Sequence, residues 1–224
     1  MSRKVVRLTL DHLALLDEDL DAPCTTCLFW QLDPVSRARV APDEAAAEKE
    51  AWVSEVLREW GSCGRVALVD DRRVGYVIYA PPAFLPGAGA FPTSPASPDA
   101  VLLSTVWVHP DHRAGGLGRM LVQGMARDLV KRGGIAAVEA FGDTRGPGRL
   151  GRLTASACVV PADFLGSVGF KTHRPHGTTP RMRMDLRTAL TWRTEVEAAL
   201  ERLVGVVRPS ARPSAPAPGE ARTR

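Results

Sequence analysis

The stretch HPDHRAGGLGRML, residues 109–121, joins a strand-like run to a helix-like run through three glycines. The preceding run, VLLSTVWVHP (101–110), is almost continuously apolar, which is typical of a strand in the centre of a sheet. From Leu117 to Arg132 the apolar residues recur at helical spacing, and Gly133 follows as a stop signal. The sequence therefore predicts a strand, a glycine-rich turn and a helix in direct succession.

A glycine-rich turn that leads into a helix is suited to binding phosphate. The first N–H groups of a helix have no partner inside it, and the helix dipole adds partial positive charge there. Glycines allow close approach of phosphate oxygens, and Arg113 and Arg119 supply further positive charge. We interpret the turn as a pyrophosphate cradle, although a tight turn alone could also require its glycines. The glycines at 115, 116 and 118 fit neither a P-loop nor the dinucleotide fingerprint.

The pattern that does fit is R-x-x-G-x-G, formed by Arg113, Gly116 and Gly118. At these residues the sequence resembles the GCN5-related N-acetyltransferase (GNAT) family. VWVHPDHRAGGLGRMLV (106–122) is similar to the acetyl-CoA motif of that family. FLGSVGFKTHRP (164–175) is similar to its later motif, a short helix that ends in Gly-Phe before a strand. The resemblance covers about residues 64–187, in the order of elements that the family has.

The resemblance implies a mixed α/β (α+β) fold. Its central sheet would be mostly antiparallel, with about six to seven strands, flanked by helices and splayed open between the strands at 101–109 and 136–142. Acetyl-CoA would lie in this gap, with its pantetheine arm along the first strand and its pyrophosphate at the glycine turn. The resemblance assigns the following residues to this co-substrate: Val106, Trp107, Val108, Arg113, Ala114, Gly115, Gly116, Leu117, Gly118 and Arg119.

The implied function is acetyl-CoA-dependent N-acetyl transfer, in which an acceptor amine attacks the thioester directly. The attack needs a neutral amine, an N–H group for the oxyanion, and a proton for the departing thiolate. The resemblance suggests the N–H of Val108 for the oxyanion. It also suggests Glu139 as the catalytic base, because a glutamate at the matching place serves acetyltransferases of ribosomal-protein N-termini. A solvated glutamate on the face of a strand is the alternative for Glu139.

Two positions of the later motif depart from the family pattern. Alignment on Gly169 and Phe170 places Cys158 where the family has an asparagine that contacts the co-substrate. It places Leu165 where the family has a tyrosine that often protonates the thiolate. Neither side chain can perform that task. A second function therefore stays open, namely a non-catalytic acyl-CoA-binding or redox-sensing module on the same fold.

The four cysteines are too few for a disulfide scaffold in a chain of 224 residues. Cys24 and Cys27 form a C-x-x-C pair beside the apolar residues Leu28, Phe29 and Trp30. Zinc needs four ligands, usually two such pairs, so no metal is expected. A redox disulfide within the pair is one interpretation. Burial of both as small apolar side chains is the one we favour.

The composition is that of a globular protein, with 45% hydrophobic and 24% charged residues. We expect one domain over residues 1–206, which includes the C-x-x-C segment at about 21–34 and a C-terminal helix at about 188–205. A disordered Pro/Ala/Arg tail is expected at 207–224. The sequence has neither an apolar run of membrane-spanning length nor a signal peptide, so a cytoplasmic protein without membrane association is expected.

The net charge of +4 belongs mostly to the tail, since the last 17 residues carry four arginines and one acidic residue, Glu220. The folded domain is therefore not expected to bind nucleic acid. The expected partner is an amine acceptor, either a small molecule or a protein. The C-terminal helix could cap the sheet or mediate a homodimer.

Overall fold

An eight-stranded mixed sheet forms the centre of the fold. The structure is a computed structural model, which describes residues 2–12, 26–145 and 158–187. The strands are β1 (Arg3–Arg7), β2 (Gly64–Val69), β3 (Arg72–Ala80), β4 (Ala100–Val108), β5 (Ala137–Asp143), β6 (Val160–Pro161), β7 (Lys171–Arg174) and β8 (Arg181–Asp185).

The helices of the described residues flank this sheet, and we number them in chain order. The helix predicted after the glycine turn begins at Leu117 and ends at Arg132, as expected from its periodicity. The α-helices are α1 (Pro34–Arg37), α2 (Ala45–Glu59), α3 (Leu117–Arg132) and α4 (Ala162–Ser167).

The order of the strands in the sheet is β1-β2-β3-β4-β5-β8-β7, and β6 pairs with β5 outside this path. All neighbours are antiparallel except the pairs that β5 makes with β4 and with β6. The parallel pairing of β4 with β5 covers three residue pairs and ends at Leu102 and Glu139. Beyond that point the two strands diverge. The predicted fold class, with its open and mostly antiparallel sheet, is confirmed.

Each face of the sheet carries its own apolar core. On one face, α3 packs Leu121, Met125 and Leu129 against β-strand residues such as Val77 and Val138. The other face is covered by α2 and by two loop segments, one around Trp30 and one around Phe91. The helices and loops on the two sides therefore hold the diverging strands in place.

The proline-rich segment between β3 and β4 contains two 3₁₀ turns, Pro82–Phe84 and Pro86–Ala90. Proline is accommodated at the first position of such a turn, where its missing N–H would have no partner anyway. The segment also packs on the sheet, because the rings of Phe91 and Phe141 stack with their centroids 4.4 Å apart.

Several predicted features lie outside the described residues. They are Cys24, the C-terminal helix at 188–205 and the tail at 207–224. The boundary of the domain at 206 therefore stays a prediction. Strand β6, two residues long, was not predicted. Within the residues that the structure describes, no helix combines the length and the apolar character that crossing a membrane requires.

A polar cluster of Tyr79, Ser62, Asp128 and Arg65 connects α3 to the sheet. The hydroxyl of Tyr79 donates a hydrogen bond to the Asp128 carboxylate at 2.6 Å, and Ser62 Oγ lies 3.3 Å from the same hydroxyl. Asp128 also forms an ion pair with Arg65. Burial, together with the hydrogen bond to Asp128, raises the pKa of Tyr79 above its ordinary value. Tyr79 is therefore a neutral donor at physiological pH.

The substitution Tyr79→Phe removes this donor and leaves Arg65 to pair with Asp128. We expect the free energy of unfolding to fall by about 1–2 kcal/mol, because one acceptor of a partly buried carboxylate loses its partner. Urea denaturation of the variant and the wild type measures the difference. Equal midpoints would show that the hydrogen bond contributes nothing to stability.

Candidate functional site

A cavity of about 560 Å³ lies where β4 and β5 diverge, which is within the range of small-molecule sites. The end of β4, the glycine turn and the first turn of α3 form one side of it. The end of β5, strand β6 and helix α4 form the other. The cavity therefore occupies the gap that the sequence predicts.

The structure brings nine of the ten residues predicted for the co-substrate to this cavity. Gly115 is the exception, and its carbonyl oxygen accepts a hydrogen bond from Arg3 Nη1 at 2.7 Å. The nine that line the cavity are Val106, Trp107, Val108, Arg113, Ala114, Gly116, Leu117, Gly118 and Arg119.

The last residues of β4 offer backbone groups to the cavity. His109 N donates to the Val74 carbonyl of the β3 side at 2.8 Å. Because successive residues of a strand direct their N–H groups to opposite sides, those of Val106 and Val108 are directed away from β3. On that side, among the described residues, β5 pairs with β4 only as far as Leu102. A bound molecule can therefore pair with this strand edge as another strand would.

The start of α3 offers a second set of N–H groups. Gly116 is the N-cap residue of α3, with a φ of +80° that favours glycine, and it has no side chain to cap the helix. The first intrahelical hydrogen bond here runs from Met120 N to Gly116 O. The N–H groups of Leu117, Gly118 and Arg119 precede it, and all three residues line the cavity. This arrangement suits an anion such as a pyrophosphate.

At Gly118 it is the lack of space, not the backbone conformation, that requires glycine. A Cβ atom at this position would lie 2.9 Å from Cε2 of Phe164, which belongs to α4. A Cβ at Gly116 would have no described atom within 4 Å. The close packing of α3 on α4 therefore requires Gly118, whereas the backbone conformation requires Gly116. Turn geometry and a role in phosphate binding are compatible at this site.

Three arginines surround the glycine turn. Arg113 Nε donates to the Val108 carbonyl at 2.9 Å, and Arg119 Nη2 donates to the Ser167 carbonyl at 2.7 Å. Arg3, which reaches the turn from β1, was not predicted. Its partner Gly115 lies 112 residues away in the sequence, so no local pattern could have revealed the contact. The positive charge of all three favours an anionic ligand.

Glu139, the base that the resemblance suggests, is not among the residues that line the cavity. It pairs with Leu102 in the last rung between β4 and β5, and its side chain is fully buried. Ser97 N donates to Glu139 Oε2 at 3.0 Å, and Arg183 Nη1 donates to Oε1 at 3.3 Å. Arg181 Nη1 is 3.4 Å from Oε2. The carboxylate is therefore enclosed by donors, which also excludes the alternative of a solvated glutamate.

The protonation of Glu139 follows from these contacts. Burial alone would raise the pKa of this carboxyl group. The hydrogen bonds from Ser97 and the positive charges of Arg181 and Arg183 outweigh burial and hold the pKa below its ordinary value. Glu139 therefore carries a compensated negative charge at neutral pH, and it is a weak acceptor for a further proton.

Asp143, at the end of β5, is a carboxylate that does line the cavity. It is buried, and Arg145 donates to it through N and Nε, each 2.9 Å from Oδ1, and through Nη2, 3.4 Å from Oδ2. It was not predicted from the sequence. A signal was present, because alternate residues of a strand share a face and Asp143 follows Glu139 by four positions. The two residues that depart from the family pattern, Leu165 and Cys158, are both buried.

No group of three or more His, Cys, Asp or Glu side chains that could hold a metal ion occurs within residues 2–12, 26–145 and 158–187.

Known proteins resemble this chain in sequence profile and in fold. The profile of the acetyltransferase (GNAT) family matches residues 22–146. The structure of the PaiA N-acetyltransferase of Thermoplasma acidophilum, solved in complex with coenzyme A, is similar with a TM-score of 0.51 and 12% identity. The similarity covers 83% of this chain and 99% of that one.

Two further solved structures are similar to comparable degrees. An N-acetyltransferase of Staphylococcus aureus Mu50 has a TM-score of 0.51 and 15% identity, and the similarity covers 83% of this chain and 99% of that one. The loading GNATL domain of CurA from Lyngbya majuscula has a TM-score of 0.50 and 14% identity, with coverage of 84% and 100%. At such identities the likeness shows the fold alone. No curated protein matches the chain significantly.

The substitution Glu139→Gln tests the ion-pair network. We expect the free energy of unfolding at pH 7 to fall by about 3 kcal/mol, because Arg181 and Arg183 lose a buried counter-charge. The folded pKa of Glu139 is lowered, so its stabilisation is present above the unfolded pKa and is lost as the pH falls through the folded value. The difference between variant and wild type should therefore shrink below about pH 4. Urea denaturation at several pH values measures it.

Asp99→Asn is the matched control for this experiment. Asp99 pairs with the same guanidinium, Arg183, but its side chain is 47% exposed, so its removal should cost far less. Equal losses in the two variants would contradict a network centred on Glu139.

Proposed function

We propose, since the chain belongs to the acetyltransferase (GNAT) family, that it binds acetyl-CoA between β4 and β5 and transfers the acetyl group to an amine. One observation carries the proposal. A strand edge with available N–H groups and an uncapped helix start line the same cavity. The amides of a pantetheine arm would complement the edge, and a pyrophosphate would complement the helix start.

The residues have separate tasks in this proposal. The N–H of Val106 would bind the pantetheine arm, with Trp107 beside it, and the N–H of Val108 would be left for the thioester carbonyl. The N–H groups of Leu117 to Arg119 would bind the pyrophosphate, and the charge of Arg3 and Arg113 would support that binding. Arg3 joins the predicted residues in this proposal, and Gly115 has no direct task, because its carbonyl accepts the hydrogen bond from Arg3.

Transfer requires a bond to form between the amine nitrogen and the thioester carbonyl carbon, and the carbon–sulfur bond to break. The N–H of Val108 is the proposed donor to the oxyanion, because it is directed toward the gap. The thiolate must gain a proton, and the buried, apolar Leu165 cannot supply one. Since a thiol has a pKa near 8.5, the thiolate can leave and take its proton from water.

The base that takes the proton of the amine has two candidates. Glu139 stays a prediction, and the donors around it weaken it as a base. Arg145 donates to Asp143 in the same way, but Asp143 lines the cavity and Glu139 does not, and we favour Asp143 for that position. The acceptor is an amine on a small molecule or a protein. The cytoplasmic location, the homodimer and the lack of nucleic-acid binding also stay predictions.

Gly116→Glu tests the cradle directly. A carboxylate at the N-cap would repel the phosphates and occupy their space, so we expect the affinity for acetyl-CoA to fall at least tenfold, or about 1.4 kcal/mol. Isothermal titration with acetyl-CoA, CoA and ADP measures the affinities. In the wild type, CoA and acetyl-CoA should bind more tightly than ADP, because ADP lacks the pantetheine arm.

Gly133→Glu is the matched control, because Gly133 stands at the other end of the same helix. Its φ of +75° is close to the +80° of Gly116, and a Cβ at either position has no described atom within 4 Å. The ψ angles differ, at 3° for Gly116 and 169° for Gly133, and the second conformation is open almost only to glycine, so Gly133→Glu should lose more stability than Gly116→Glu and yet keep its affinity for acetyl-CoA. Unchanged acetyl-CoA binding in Gly116→Glu, or no binding in the wild type, would refute the proposed site.

Asp143→Asn tests the proposed base. We expect kcat for acceptor-dependent release of CoA to fall by about a hundredfold or more, with an unchanged dissociation constant for acetyl-CoA. A thiol-detecting assay with a panel of amines and amino-terminal peptides measures turnover. Glu139→Gln, assayed beside it, should lose mainly stability. If Glu139→Gln loses turnover at full occupancy while Asp143→Asn does not, Glu139 is the base.

A further inference from the structure

Two cysteines that are distant in sequence meet next to the cavity. The sulfur atoms of Cys27 and Cys158 lie 2.6 Å apart, although 131 residues separate them. Cys158 is buried and Cys27 is partly exposed. A disulfide bond is about 2.05 Å long, so a small approach of the two sulfurs would allow a bond. The partner that the structure gives Cys27 is thus Cys158, whereas Cys24 lies outside the described residues.

The surroundings of Cys27 favour its thiolate form. The hydrogen bond from Cys158 lowers the pKa of Cys27 to about 6, although burial opposes this. The N–H of Phe29 and the charges of Lys49 and Arg37 contribute to the lowering. Lys49 is itself buried, and its Nζ donates to the Cys27 carbonyl at 2.8 Å. Because thiolates react with oxidants and thiols do not, Cys27 is the nucleophile of the pair.

Cys63 provides an internal contrast. It is fully buried in the same apolar core, and burial raises the pKa of its thiol to about 12. This cysteine should stay protonated and unreactive under conditions in which Cys27 reacts.

The cysteine pair adjoins the wall of the cavity. The carbonyl of Cys158 accepts a hydrogen bond from Trp30 Nε1 at 2.8 Å. The next two residues, Val159 and Val160, line the cavity, and β6 begins at the second of them. A bond between the sulfurs would therefore join the segment around Trp30 covalently to this wall.

We propose that Cys27 and Cys158 form a reversible disulfide that fastens the segment around Trp30 to the β6 wall of the cavity. With hydrogen peroxide as the oxidant, the Cys27 thiolate attacks one oxygen, the O–O bond breaks, and the other oxygen leaves as hydroxide and becomes water. The sulfur of Cys158 then attacks the sulfenic sulfur of Cys27. The S–S bond forms, the S–O bond breaks, and the hydroxyl leaves as a second water with the proton of Cys158. A dithiol reductant reverses the reaction by thiol–disulfide exchange.

Peptide mapping of the full-length protein tests the connection. The wild type and the variants C24S, C63S, C27S and C158S are oxidised with peroxide, digested with trypsin without reduction, and analysed by mass spectrometry. A peptide with Cys27 should be linked to one with Cys158 in the wild type, C24S and C63S, and in neither of the other variants. Dithiothreitol should release it. A disulfide between Cys24 and Cys27, or zinc that protects the thiols from peroxide, would overturn the proposal.

The pH dependence of alkylation tests the role of Cys27. In the C24S background, labelling of Cys27 by iodoacetamide should be half-maximal near pH 6, and removal of Cys158 should move the midpoint upward. A midpoint near pH 9 in both proteins would contradict the proposal. Both experiments read sulfur chemistry alone. Their outcome is therefore independent of whether the protein binds acetyl-CoA or transfers an acetyl group.

Discussion

The parallel pairing of β4 with β5 ends after three residue pairs, and the cavity depends on that interruption. A strand edge that is buried without partners loses the hydrogen bonds of its backbone groups. Here β3 pairs with β4 as far as Val108, so the strand keeps its shape although its other side opens to the cavity. The edge is thus rigid before any ligand arrives. Rigid polar groups lose little conformational freedom on binding, which favours affinity.

The glycine turn completes the site because it meets two structural requirements, a left-handed backbone and close helix packing, with two different glycines. Gly116 provides the left-handed backbone that starts α3, and Gly118 provides the space in which Phe164 packs. The first residues of α3 therefore line the cavity, and α4 packs beside them and lines the cavity as well. Arg3 fixes the turn from the far edge of the sheet through the Gly115 carbonyl. A substitution at Gly118 would therefore disturb the packing of α3 on α4, and a substitution at Gly116 would disturb the helix start that faces the ligand.

Local patterns in the sequence predict most of the elements and much of the site. Helical spacing from Leu117 to Arg132 and the apolar run before it place α3 and β4, and the glycines between them mark the turn. These signals are short-range, since periodicity and turn residues act within one element. The gap between β4 and β5 was predicted only from the resemblance to a family, because no local pattern in the sequence indicates it.

Apart from Asp143, the features of the site that sequence reasoning missed depend on contacts between distant parts of the chain. The donors around Glu139 come from Ser97, Arg181 and Arg183, each more than forty residues away. The pairing of Cys27 with Cys158 spans 131 residues. A glutamate on a strand beside the gap looks like a base until its donors are known. Composition and local spacing do not indicate which residues that are distant in sequence come into contact.

Hydrogen–deuterium exchange measured by NMR, with and without acetyl-CoA, tests the central claim most directly. The account predicts that acetyl-CoA slows exchange of the amides of Val106 and Val108 and of Leu117 to Arg119 together. ADP should slow exchange at the helix start alone, because it has no pantetheine arm. Protection by acetyl-CoA at the helix start without protection of the β4 amides would contradict the claim that the gap between β4 and β5 holds the arm.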